Sequence, residues 1–583
     1  MRFPVWIRMS ALAITMLATS AVNAQDKVLS DQILPGETFL YMSMPSVQKM
    51  KTAFSHSPMG QMFSDPEMDG IKEEFQNAFG AQLNEGFAQV QDAIGLSVEE
   101  LLEIPTGEVA FAVCGAGARA NKMGAVIILD YGEHESAIRQ LLEQAKGALV
   151  NLPDLEPADA EYDGTELTMF DITAPVADQT PLAKEFGWFL KDERLVISNS
   201  RAVLEMIIDN WAGDSDDTLL QNPTYAYIME KCQTSERSSL MSTYFDPVGL
   251  FTKVVHTGSA GEAGMGAGFA LGMFPTFGID QLKAMGSAAQ MDVGEFDVVS
   301  RTFLYVQQPP RGAMQIFQFE PVDVTPPGWV KEGASLYMTA KWQVDDAYNA
   351  IQNLFDMFQG NGAFARIVDQ AANNGPQIHI KQDVIDQLDG SMTMVSAPGG
   401  EGASGDDMLF AIGVRDESKI SDLLVKITSM PGAPFESREF RGATVYEIQN
   451  PGTGQTVGLT ATNGKLLIGV GETLFDQTLR NDNDVRPLAE SDEFRAIADH
   501  IPSNALAVTY TNPASQYRSL YEMLRDGNPA ESFPGLDDIL SQIDFGRLPP
   551  FEVIEKYLAP SGGFWVGDEN GVLMEQFSLK AAN

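Results

Sequence analysis

The chain has 583 residues, with 38 lysines and arginines against 80 aspartates and glutamates, for a formal net charge of −42. Such a field repels phosphate backbones and anionic lipid surfaces, which excludes nucleic acid as a partner and suits a protein kept soluble in cation-rich surroundings. The length exceeds one ordinary domain of about 100–200 residues, and past the N-terminus no run approaches the ~20 apolar residues that a transmembrane helix needs.

In chain order, Arg2 and Arg8 precede an apolar stretch from Ala11, followed by Val22-Asn23-Ala24. This pattern predicts a signal peptide over residues 1–24 and an exported protein, periplasmic or extracellular, whose mature form begins at Gln25. TFLYMSM (from Thr38) alternates as a strand, and PSVQKMKTAF opens a helix in which Ser46 is the expected cap. Helical spacing continues through IKEEFQNAF and LNEGFAQVQDAI. EVAFAVC and GAVIILDY read as strands, and residues 135–150 as a helix. Hairpins are expected to turn at Asp163-Gly164 and at Lys191-Asp192. RAVLEMIIDNWAG reads as a helix closed by Gly213. A further helix, a strand over SLMSTYFD, a helix through Val255 and a late hairpin before FDVVSRTFLYV complete the first half.

The same elements return in the second half. ETFLYMSMPSVQKMKTAF is echoed by ASLYMTAKWQVDDAYNAIQNLF, and EYDGTELTMFDI by EFRGATVYEIQN, which pairs Gly164 with Gly442. STYFDPVGLF is echoed by VTYTNPASQY, pairing Tyr244 with Tyr510, and FPTFGIDQLKAMGS by LPPFEVIEKYLAPS. The order is kept, which predicts a tandem duplication: unit 1 over 25–308, unit 2 over 331–583, and a proline-rich connector over 309–330. Phe317, Phe319 and Trp329 are expected to pin that connector to one unit. Hairpins alternating with helices predict an α+β fold with a mainly antiparallel sheet and helices on one face. The two cysteines, Cys114 and Cys232, leave both a disulfide and two separate buried thiols open.

A search for chemistry finds no constellation. His56, His134, His256, His379 and His500 are widely spaced, without HExxH or an i,i+4 pair, and there is no G-x-S-x-G elbow or P-loop. Ser46 and Lys49 match S-x-x-K, but a serine after a strand and before a helix is a cap. The glycines at 399, 400, 402 and 405 fit a hairpin loop. Two features stand out. Acidic loops recur in both units, Asp214, Asp216 and Asp217 against Asp482 and Asp484, and carboxylates of this kind are calcium candidates although the EF-hand spacing is missing. The glycine-rich stretch from His256 to Phe277 carries Met265, Phe269, Met273 and Phe274, and reads as a loop with the makings of an apolar flap.

LPGETFLYMSMP (from Leu34), GQMFSDPEM (from Gly60) and LPPFEVIEKYLAPSGGFW (from Leu548) together resemble an uncharacterised family of exported bacterial proteins. That family opens its mature region with an LPxETxxYxxxP strand, and the resemblance implies no catalytic residue. The sequence is thus read as a non-enzymatic binding or scaffolding protein of the cell envelope, without a cofactor other than calcium. Its unknown protein or apolar ligand is expected in a cleft between the units. The alternatives are a carrier of a lipid or other apolar molecule, and a hydrolase assembled in three dimensions around His134 or His256.

Overall fold

The computed structural model describes residues 27–75, 103–116, 122–173, 184–233, 239–257, 264–374, 377–400, 405–449, 455–480, 484–526 and 543–581. The signal peptide, Asp482, Gly402 and most of the helical stretch expected over 71–94 lie outside these residues. Two β-rich halves follow one another. The first contains β1 (Thr38–Met44), α1 (Val47–His56), α2 (Pro58–Ser64), β2 (Val109–Gly115), β3 (Met123–Asp130), α3 (Glu135–Leu149), β4 (Leu155–Pro157) and β5 (Ala160–Tyr162). It continues with β6 (Thr165–Ile172), β7 (Glu185–Lys191), β8 (Arg194–Ser198), α4 (Arg201–Asp209) and α5 (Pro223–Cys232). It ends with β9 (Met241–Phe245), α6 (Pro247–His256), α7 (Gly264–Phe277), β10 (Leu282–Val293) and β11 (Phe296–Val306).

After a short β12 (Phe319–Glu320), the second half runs β13 (Leu336–Trp342), α8 (Val344–Gln359), α9 (Ala363–Asn374), β14 (Leu388–Pro398), β15 (Asp406–Val414) and α10 (Glu417–Thr428). Then come β16 (Glu436–Phe440), β17 (Ala443–Gln449), β18 (Thr456–Thr462), β19 (Lys465–Val470), α11 (Thr473–Arg480) and α12 (Asp492–Ala498). The chain closes with β20 (Ala507–Thr511), α13 (Pro513–Asp526), α14 (Phe551–Glu555), β21 (Ser561–Asp568) and β22 (Gly571–Leu579).

Every described strand pairing is antiparallel, and the fold is α+β. In the first half the neighbours run β6-β7-β8-β3-β2-β1-β9-β10-β11. In the second they run β17-β18-β19-β15-β14-β13-β20-β21-β22, the same connection order. β11 pairs with β22 from Phe296–Leu579 to Tyr305–Gly571, so the two series join into one sheet. Its ends are β16 beside β17 and β4 and β5 beside β6, and no pairing among the described residues joins those ends.

Helices cover one face of this sheet along both halves. In the first, Tyr41, Ala110, Ala112, Val126, Ile128 and Val196 pack on Val203, Leu204 and Ile207 of α4 and on Tyr225 and Ile228 of α5. In the second, Tyr337, Val395, Leu409, Leu467 and Tyr510 pack on Phe475 of α11 and on Phe494 and Ile497 of α12. Tyr41 and Tyr244 are cross-strand partners, and Tyr225 meets both edge-on at 5.9 and 5.4 Å. Tyr337 and Tyr510 are likewise partners, met edge-on by Phe494 at 6.3 and 5.6 Å. Edge-to-face contact suits the quadrupoles of these rings and fixes helix to sheet. At the outer ends helices also reach the opposite face: α3 through Ile138, and α10 through Ile420 and Leu423.

Local features follow the sequence closely. The Ser46 side chain caps α1 by accepting from the Lys49 amide. Asp163-Gly164 and Arg441-Gly442 both turn with positive φ, the conformation that a two-residue hairpin requires. The second hairpin turns one residue later than expected, at Asp192-Glu193, because Lys191 still pairs with Arg194. The connector is not simply extended. It forms a 3-10 turn over Gly312–Phe317 and the β12 strand, whose pairing with Trp342 and Lys341 turns Phe319 toward Trp565. Trp329 packs on the second core, whereas Phe317 is 68 % exposed.

The start of the described chain is fastened by a buried carboxylate. Glu108, 2 % exposed, accepts hydrogen bonds from the Ser30 amide at 2.8 Å, the Ser30 hydroxyl, and the Ser43 hydroxyl at 2.8 Å. The Ser30 hydroxyl also meets the Tyr41 hydroxyl at 3.0 Å. Burial raises the pKa of Glu108 above its ordinary value, against the opposing pull of these donors and of Arg194. The folded state therefore holds this proton more tightly than the unfolded chain. The contribution of Glu108 to stability is full below its ordinary pKa and declines as pH rises through the raised value. The difference in Tm between Glu108→Gln and the natural protein should accordingly grow in the variant's favour from about pH 4.5 to pH 7; a difference that stays flat across thermal melts would contradict this.

Both cysteines are free and buried. The Cys114 thiol lies 3.3 Å from the Thr38 hydroxyl, and that of Cys232 lies 3.3 Å from the Gly286 carbonyl. Burial pushes each thiol up to about 12. With the thiolate so disfavoured, neither should react with iodoacetamide at pH 8 in the folded protein, and both should react in guanidinium. Mass spectrometry before and after denaturation reads the result, and a pair that needs a reductant first would restore the disulfide.

Candidate ligand-binding face

Successive residues of a strand point to opposite faces, and directly opposed residues on neighbouring strands share a face. On the face away from α4, α5, α11 and α12, the middle of the sheet carries apolar side chains in register. Met42 stands opposite Phe111 on β2, Leu40 opposite Val113 and Phe245, and Phe245 opposite Met285 on β10. Met285 stands opposite Leu304, which stands opposite Val572 across the β11–β22 seam. In the second half Met338 faces Met394, Met394 faces Phe410, and Phe410 faces Ile468. Met42, Phe111, Met285, Met338 and Phe410 are each between 36 and 40 % exposed.

This face lies between α3 at one end and α10 at the other, spanning the eleven strands from β2 to β15. At the usual ~4.8 Å between strands that is about 50 Å along the sheet. Polar residues interrupt it: Thr243 and Ser287, hydroxyl to hydroxyl at 2.7 Å, are followed in register by Thr302, and across the seam Ser300, Gln576, Gly563 and Thr509 lead to Met338. Methionine and phenylalanine are suited to such a surface, since the thioether chain adapts its shape and the ring supplies area at little entropic cost. Burying these five side chains beneath an apolar molecule would stabilise a complex by roughly 0.5–1 kcal/mol each, scaling the ~1.5–3 kcal/mol of a fully buried Met or Phe to the part still exposed.

These residues were not singled out from the sequence, although a signal was there. Strands such as VAFAVC, MGAVIILD and MLFAIGV are apolar at both parities, whereas a strand with one wet face alternates. The expected flap residues fall on α7, a helix where a loop was anticipated. There Phe269 is exposed, Met273 and Phe274 are half-buried, and Phe274 stacks on Phe251 of α6 at 5.3 Å. Met265 belongs to the same helix. Its four glycines and Pro275 disfavour a helix locally, so contacts such as Phe274 on Phe251 hold it in place.

Asp214, Asp216 and Asp217 do not converge. All three are exposed, and their loop is held by its backbone, with the Asp217 carbonyl accepting from the Asn210 side chain at 3.0 Å. Asp484 is exposed in the other half. Among the described residues, no three histidines, cysteines or acids group as a metal site would require. The histidines also take separate places: Nδ1 of His134 lies 3.1 Å from the Ile104 carbonyl, and His256 ends α6.

The halves meet along the β11–β22 ladder and a joint cluster of Met68, Ile71, Phe545, Phe551 and Ile554, and residues of both halves line the space beside them. A polar pocket of about 480 Å³ remains beside them, lined by His56, Asp292, Asp297, Lys556, Tyr557 and Lys580 among others. Its lysines are engaged, Lys556 with Asp65 at 2.8 Å and Lys580 with Asp292 at 2.6 Å. Its one serine, Ser57, donates to the Phe54 carbonyl and caps α2, which leaves it poorly placed as a nucleophile. Comparison with protein-family models, with curated proteins and with solved structures finds no match.

Proposed function

We propose that this chain is an exported, non-enzymatic binding protein that carries an elongated apolar molecule of lipid type on the open face of its sheet. The observation that carries this reading is the set of half-exposed methionines and phenylalanines that both halves place on this same face. In water such a set is a standing cost, and an acyl chain or similar molecule would remove it. The equal pairing order of the two strand series supports reading the halves as a duplicated unit, with boundaries near 308 and 331. Each unit then contributes one apolar patch to the same face, in which Met42 and Met338 stand on corresponding strands.

Native mass spectrometry of the protein taken gently from its host, with solvent extraction, should reveal a stoichiometric apolar companion. The delipidated protein should bind an anthroyloxy-labelled fatty acid saturably. Phe111→Asp and Phe410→Asp, which place a carboxylate on the open face, should each weaken that binding by about tenfold or more while the far-UV spectrum is kept. Absence of both a companion and saturable binding would refute the carrier reading and leave a protein-binding scaffold.

A further inference from the structure

Helix α7 contains glycine, alanine, methionine, leucine and phenylalanine at all of its 14 positions except Pro275 and Thr276, and no charged residue. A helix apolar on every side is ordinarily buried, in protein or in lipid. α7 is not enclosed by the described chain: Phe269 is 72 % exposed, and nothing lies within 4 Å of the positions a Cβ would take at Gly264, Gly266 and Gly272. At ~1.5 Å per residue it is about 21 Å long, well short of the ~30 Å hydrocarbon core of a bilayer. It can therefore lie in a membrane surface but cannot cross one.

Its neighbours extend the exposed apolar area. Phe277 stacks at 5.0 Å on Phe358 of α8, where Phe358 and Met357 are both exposed. Gly312, in the turn that carries the exposed Phe317, lies against the Phe277 carbonyl. Phe274, stacked on Phe251, fastens the helix to α6.

We propose that α7 docks this protein on the surface of a bilayer with neutral, zwitterionic head groups, with Phe269 at its crest and Phe317, Met357 and Phe358 on the neighbouring elements. Charge selects this occupant. Two chains of net charge −42 repel each other, which disfavours a second copy. The same charge repels anionic lipid, and α7 offers no lysine or arginine to offset it. A zwitterionic surface carries neither cost. This docking is separable from the carrier reading, since a carrier can load from solution and a protein that carries nothing can still dock.

The test is flotation of the purified protein with phosphatidylcholine vesicles, with Phe269→Glu as the variant. The exposed position of Phe269 leaves the fold unaffected, which circular dichroism and the Tm check. The natural protein should float with the vesicles, and the variant's partition should fall by about tenfold or more. Replacing a third of the lipid by phosphatidylglycerol should lower the partition at low salt, with the loss closing near ~0.5 M salt as the Debye length shrinks. No flotation, or equal flotation of the variant, would overturn the proposal. So would a dimer in sedimentation that the variant abolishes without vesicle binding, because a second copy would then be the occupant.

Discussion

A β-sheet has two faces, and the core helices of the described residues pack along both halves on one of them. The joining of β11 to β22 makes that imbalance consequential. Two separate sheets would each present a short unpacked strip, which loops or helices of modest size can shield. A single series of paired strands instead presents one long strip, bounded among the described residues where α3 and α10 reach its ends. The packed face is secured by the two tyrosine clusters, in which a helix ring meets a cross-strand tyrosine pair edge-on. The open face is apolar because the strands are apolar at both parities.

An apolar strip and a strongly acidic exterior are compatible, and each makes the other tolerable. Charge repulsion between chains opposes association through exposed methionine and phenylalanine, a hazard for edge-rich β proteins. It also narrows the choice of partner, since a ligand for the open face gains from apolar burial and gains nothing from negative charge. The polar pocket near the seam belongs to a different regime, because its lysines and carboxylates already neutralise one another through Lys556–Asp65 and Lys580–Asp292.

The N-terminal segment shows how a buried charge can be accommodated locally. Lys27 pairs with Asp130 and Glu193, the Arg194 guanidinium donates to the Val28 carbonyl, and Ser30 and Ser43 satisfy Glu108. An unpaired carboxylate at that depth would be costly. The cluster thus ties the first described residues to β1, to the segment entering β2, and to β8.

Much of the architecture was legible in the sequence, since strand alternation, helix spacing and turn residues are local properties that neighbouring residues enforce. The hairpins at Gly164 and Gly442 and the cap at Ser46 are of this kind. Matters that depend on distant partners were not legible. The helix over α7 was read as a loop because glycine content masks helical spacing, and Phe317 was read as an anchor because its exposure depends on the pairing of β12. The carboxylates at Asp214, Asp216 and Asp217 resembled an ion site in sequence, yet their loop turns them into water. The sequence by itself determined the class, most of the strands and helices and the acidic charge, because these follow from composition and short-range periodicity. Only the tertiary structure decided that the two strand series share one sheet and that Met42, Phe111, Met285, Met338 and Phe410 line its uncovered face. Strand register and helix placement are set by contacts hundreds of residues apart, which no local pattern encodes.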